Sequence, residues 1–266
     1  MKLPKIGLKE SEFSRESLEN WLAAKTMEFD VVESNSIRAL FMPVASSEMC
    51  SLMVVQTMKQ ITKFSNYKRV VVIGAAHPKV TAGIYLPDDD DTVFRNEITE
   101  FSMVLDPELK DAIMNLNTST PVSNVSPDFF ELCDLSYNLP IIADMTAEHM
   151  LPIIPVAYRK ADKDELLEII ELLIDNGSLI ILCGGLSHSL SIRESKSLDS
   201  ETISKIIALD SSIRNVQSNC YIALNSLIQL AENHYWRPRL ISYQTTGNKY
   251  NIKNTAGYAS MVFFNQ

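Results

Sequence analysis

Two histidines stand where an α/β protein keeps its chemistry. His77 lies near the end of KRVVVIGAAHP, residues 68–78, and His188 ends SLIILCGGLSH, residues 178–188. In each stretch an unbroken apolar run gives way to glycine and reaches the histidine a few positions later. Apolar runs bounded by turn signals predict strands buried on both faces. Ligands of open α/β sheets collect just beyond the carboxyl ends of such strands. The two imidazoles are therefore expected to line one pocket. A catalytic non-haem iron site would need two histidines and a carboxylate on one face, with open coordination positions.

Other chemistry-bearing residues have plainer readings. Cys50, Cys183 and Cys220 sit within apolar elements and read as small core residues. His149 and His234 read as surface or helix-capping histidines. Ser187 beside His188 lacks nucleophile-elbow spacing, so it does not read as a nucleophile–base pair. Tyr235-Trp236, followed by Arg237 and Arg239, has the composition of a contact surface, but a helix end packing on the sheet explains it more simply. The acidic run Asp88 to Asp91 lacks the alternating spacing of a calcium loop and reads as part of a solvated excursion. The glycines at 74, 184 and 247 form neither GxGxxG nor a P-loop, so no nucleotide fingerprint is present.

The elements that must position the histidines follow from patterning. A strand over residues 37–44, a helix over 48–64 and a strand over 68–73 make a strand–helix–strand unit with short connections, the signature of a parallel sheet. Further helices are predicted over 16–27 (capped by Ser14), 107–114, 128–138, 162–175, 200–209 and 213–232. Further strands are predicted over 151–157, 178–183, 239–245 and 257–264. The prolines of LPIIPVA suggest an edge strand or a kinked end. Residues 80–101 read as a polar hairpin or loop, and 118–126 as a loop. The fold class is α/β, a three-layer sandwich around a mostly parallel or mixed sheet, in a single domain over residues 1–266.

Bulk properties narrow the function classes. The 266 residues are 46% hydrophobic and 21% charged, with a net charge of -9. That balance supports a sizeable core and argues against a nucleic-acid surface. No apolar run is long enough for a membrane helix, and the first residues lack the apolar core of a signal peptide. The four cysteines form no CxxC pair and predict reduced thiols in a cytoplasmic protein.

The ordered blocks resemble the Memo family, whose fold is related to the class III extradiol (LigB-type) non-haem iron dioxygenases. RALFMPVA, residues 38–45, resembles the family strand that ends in a Pro-His-Ala turn. IGAAHP, residues 73–78, resembles its Gly-x-Ser-His block, and LCDLSYNLP, residues 132–140, its Glu-His-Ser-Leu-Glu-x-x-Leu-Pro helix. IIPV at 153–156, GGLSH at 184–188, and SYQTTG with TAGYASM across 242–261 match further blocks in order.

The resemblance implies a small metal site built largely from histidines. Carried over residue by residue, its histidines fall on Val44, His77, Cys133 and His188. The aspartate of its Ser-Asp-x-Ser-His block falls on Gly185, and the two helix glutamates fall on Leu132 and Ser136. A cysteine of some members falls near Lys249, and a Cys-Gly pair falls near Gln217 and Ser218. A retained site would draw on His77, His188 and Cys133 for metal, since a thiolate can replace an imidazole on zinc or iron. Its acid would be Asp134, with Glu131 the alternative.

Two functions follow as expectations. One is a diverged Memo-like binding or accessory protein, its metal site mostly lost, holding a small ligand or a protein partner in the old cleft. The other is a metal-dependent oxidoreductase or dioxygenase with a rebuilt site of iron, zinc or copper. There His188 and Asp134 would serve the chemistry.

Overall fold

Alternation within the buried runs decides the architecture. Val70 and Val72 face one apolar layer together with Leu40, Met42, Leu179 and Ile181. Val71 and Ile73 face the other with Ala39, Phe41, Ile180 and Leu182. Successive strand residues point to opposite faces, so a run buried on both faces needs a covering layer on each side. The computed structural model describes residues 5–7, 23–24, 26–31, 37–44, 48–87, 91–95, 100–104, 107–125, 133–149, 151–174, 177–247 and 254–265.

The strands are β1 (Lys5–Gly7), β2 (Ile37–Met42), β3 (Arg69–Ala75), β4 (Gly83–Pro87), β5 (Asp91–Arg95), β6 (Glu100–Val104), β7 (Val122–Val125), β8 (Ile153–Arg159), β9 (Ser178–Cys183), β10 (Arg237–Thr245) and β11 (Gly257–Phe264). An eight-stranded mixed sheet runs in the order β10-β11-β2-β9-β3-β8-β4-β7, and β1, β5 and β6 form a separate three-stranded sheet. The inner strands β2, β9, β3 and β8 are parallel, with Met42, Cys183, Gly74 and Ala157 abreast. Their carboxyl ends therefore share one rim.

Helices cover both faces. On one side lie α1 (Glu48–Met58) and α3 (Leu139–Thr146), packing through Val54, Val55, Met58, Leu139 and Ile142. On the other lie α4 (Lys163–Ile174), α5 (Ile192–Ile207) and α6 (Tyr221–Asn233), with α2 (Pro107–Met114) contributing Ile113. α4 turns Leu166, Ile169, Ile170 and Leu173 inward, each such side chain worth about 1.5–3 kcal/mol when fully buried. The Asp162 carboxylate caps its start by accepting from the backbone of Asp164 and Glu165. Gly177, at φ +79°, turns the chain into β9. The expected three-layer α/β sandwich is the observed one.

Several local expectations give way. The excursion over 80–101 holds the expected antiparallel pairing in β5 and β6 but also contains β4, whose GIYLP is wholly buried, and the predicted loop over 118–126 contains β7, paired parallel to β4. Pro140 starts α3 from its first turn instead of ending a helix, because an N-terminal position has no backbone partner to lose. β8 is an inner strand and not an edge. Its pairing to β4 covers only Ala157 to Arg159, which leaves Pro155 beside no partner on that flank. α5 begins at Ile192, ahead of the expected residue 200, because Ser191 and Glu194 form a capping box. The long helix expected over 213–232 starts only at Tyr221. The cap Ser14, Asp88 to Asp90, Glu131, Leu132 and Lys249 lie outside the described residues. Among the described residues no helix is long and apolar enough to cross a membrane.

Candidate functional site

The His77 corner is built by the end of β3. Gly74 presents no side chain, and a Cβ there would lie 2.6 Å from Leu135 Cδ2. That gap lets Leu135 pack directly on the strand and draws its neighbours in. Ala76 and Cys133 form an isolated antiparallel bridge. The residues that follow each of them, His77 and Asp134, are brought together, with His77 Nε2 3.6 Å from Asp134 Oδ1. The separation is that of an ion pair once the imidazole is protonated, and too long for a direct hydrogen bond. Both side chains are about half open, 42% and 52% exposed. Behind them, buried Asn138 donates through Nδ2 to the Pro43 carbonyl at 2.9 Å, tying the start of α3 to the end of β2.

The His188 corner leaves the same rim from adjacent β9. Gly184 approaches α6 so closely that a Cβ would fall 2.2 Å from Cys220 Sγ. The Gly185 N–H donates to Asn219 Oδ1 at 2.8 Å, and Ser218 Oγ donates to the Gly185 carbonyl at 2.7 Å. Leu186 and Ser187 exchange backbone hydrogen bonds with Gly257, each 2.8 Å. His188 itself is exposed. Beneath it, fully buried Asp199 accepts from Ser187 N–H, Ser195 Oγ and Tyr243 OH. Burial pushes the Tyr243 phenol upward, and its bond to the Asp199 carboxylate adds to the effect.

Cys133 stands apart from both imidazoles in character. It is 1% exposed and belongs to the apolar layer under α1 and α3. Burial pushes its thiol up to about 12, the neighbouring Asp134 charge works the same way, and a Leu135 backbone bond opposes them. A cysteine ligates as a thiolate, and Cys133 instead packs as a small apolar side chain within that layer. Val44 packs against the same layer. Among the described residues no group of three or more His, Cys, Asp or Glu is placed to hold a metal ion. The described donors therefore do not make up an iron, zinc or copper centre of the kind the resemblance implies, because an ordinary catalytic site takes three protein ligands.

The remaining candidates fall where packing puts them. Cys50, Cys183 and Cys220 are buried free thiols. His149 lies tilted against Phe64 and His234 against Trp236. Trp236 is buried in the layer under α4 to α6, whereas Tyr235 is exposed at φ +58°. Sequence reasoning passed over Asn138, Ser195, Asp199 and Tyr243. The only available signal was the Ser195–Asp199 spacing of four, which puts both on one face of a helix.

No protein-family model matches the chain, and no curated protein matches it. Among solved structures it is similar to the uncharacterized protein JW3007 from Escherichia coli K12, with a TM-score of 0.55 and 12% identity over 85% of this chain and 99% of that one. At that identity the likeness concerns the fold alone: the α/β architecture of this chain recurs along nearly the whole of the other.

Proposed function

We propose that this chain is a diverged Memo-like binding or accessory protein whose rim of strand ends holds a small polar ligand, or a partner's side chain, without a metal. The pairing of His77 with Asp134 carries the reading. An imidazole beside a carboxylate can donate to or accept from a bound hydroxyl, and both groups are open enough to do so. Cys133, which would complete a rebuilt metal set, keeps its thiol protonated inside the core. Val44 and Gly185 supply no donor side chain at the other family positions.

The test is elemental analysis of protein purified without chelator or affinity-tag metal, both aerobically and anaerobically. The expected result is no stoichiometric metal in the wild type. Near-stoichiometric iron, zinc or copper that disappears in His77→Ala and His188→Ala would overturn the reading in favour of a metal-dependent oxidoreductase.

A further inference from the structure

The loop that carries His188 is held from below by a buried carboxylate that pairs with no cation among the described residues. Asp199 is fully buried on α5. Its Oδ1 accepts the Ser187 N–H at 3.0 Å, and its Oδ2 accepts Ser195 Oγ at 3.2 Å and Tyr243 OH at 2.8 Å. The Ser187 and Ser195 hydroxyls meet at 2.8 Å. Among the described residues no Lys, Arg or His pairs with it. A buried carboxylate of this kind is sustained only by donors aimed at it, and these come from the loop, from its own helix and from β10.

The fit is tight on the remaining side. A Cβ on Gly257 would sit 1.9 Å from Asp199 Oδ2, so the carboxylate rests on bare backbone. Gly257 in turn exchanges backbone bonds with Leu186 and Ser187, and the Thr255 N–H donates to the Leu190 carbonyl at 2.8 Å. The chain is thus pinned immediately before His188 and again at Leu190. Between the pins Ser189 is held at φ +59°, a left-handed conformation that costs a non-glycine residue about 1 kcal/mol. Such a conformation persists where the surroundings over-determine it.

We propose that Asp199 is the positioning residue of the rim: it fixes the strained turn at Ser189 and so presents His188 outward beside the His77 corner. This rests on the reading of the rim as a binding site. Its test needs no ligand, so its failure is separate from failure of that reading, which elemental analysis decides. Asp199→Asn removes the charge and can keep the Ser187 N–H on its oxygen only by turning its amide nitrogen toward the two hydroxyls, which must then accept where they now donate.

The experiment compares amide hydrogen exchange and histidine side-chain NMR in wild type, Asp199→Asn and Ser195→Ala, all as the full chain. In Asp199→Asn, exchange at Leu186, Thr255 and Gly257 is expected to rise about tenfold or more. The His188 ring resonances should shift or broaden, while those of His77 and the β3 amides stay as they were. Ser195→Ala keeps the carboxylate and two of its donors, so the same amides should respond in the same direction but less, which covers the case in which Asp199→Asn fails to fold. Exchange at those amides changed by less than about twofold in both variants would overturn the proposal. So would His188 and His77 moving together, because Asp199 would then be only a strut of the whole fold.

Discussion

At the His77 corner the polar groups themselves are half exposed and lightly held, whereas at the His188 corner an exposed imidazole stands above a fully buried carboxylate. The two corners leave adjacent parallel strands, yet they spend their polar groups differently. Near His77 the charge lies at the surface, and apolar packing of Leu135 on Gly74 does the positioning. Near His188 the positioning is polar, and the charge is sealed beneath the loop. One corner should therefore tolerate loss of its polar groups, while the other should not.

The largest expected effect is Asp199→Ala, which orphans the buried Ser187 N–H, strands the Tyr243 phenol and leaves the Ser195 hydroxyl only its Ser187 partner. At about 1–3 kcal/mol for each unsatisfied buried group, the loss should reach about 3 kcal/mol or more, read from urea denaturation. Gly257→Ala attacks the same seat from the apolar side. Its methyl has no room beside the carboxylate, and such overpacking costs about 1–3 kcal/mol. A loss below about 0.5 kcal/mol in both variants, no more than an ordinary surface substitution costs, would erase the contrast between the corners.

How much of this was legible in the sequence differs between the same two corners. The buried runs of β3 and β9 and the histidines beyond them follow from patterning alone, because a doubly buried strand must be continuously apolar. β11 was expected at its observed bounds for the same reason. Harder to see were β4 and β7, which are short and lie next to polar or turn-forming residues that mask them. Pro140 was misread because proline marks both helix starts and helix ends. The Ser191–Glu194 pair was a readable start signal for α5 that went unused. Asp199 was not legible as special: a carboxylate on a largely polar helix is normally solvated, and only the approach of Gly257 and Tyr243, distant in sequence, shows that it is buried.

Beneath the His77 corner, bridged to Ala76, lies Cys133, and it predicts a smaller effect with a definite sign in pH. Cys133→Ser should cost about 1–3 kcal/mol by setting a hydroxyl in an apolar layer. The thiol itself is raised from 9.0 to about 12 in the fold, and that of Cys220 to about 11. Both stay protonated when folded, whereas the unfolded chain gives up these protons above about pH 9. Their contribution is therefore complete below that pH and is lost as pH rises toward the folded values, at no more than about 1.4 kcal/mol per pH unit for each thiol. Urea midpoints at about pH 8 and about pH 10.5 should show the decline, and Cys133→Ala should make it shallower. Equal slopes in both proteins would mean that Cys133 is not sealed, and would return it to the rim as a candidate ligand.

The smallest effect belongs to the His77–Asp134 pair. Both side chains are close to half exposed, so water and salt screen their attraction, and exposed pairs contribute at most about 1 kcal/mol. A double-mutant cycle with His77→Ala and Asp134→Asn should give a coupling in that range. It should fall further in high salt, which screens exposed charges. Stability would then be almost indifferent to both residues, which suits groups left free to meet a ligand. A coupling above about 2 kcal/mol that survives salt would place the pair beyond exposed behaviour. The His77 corner would then be held as firmly as the His188 corner, and its pair would be read as a structural tie and not as the open half of a binding rim.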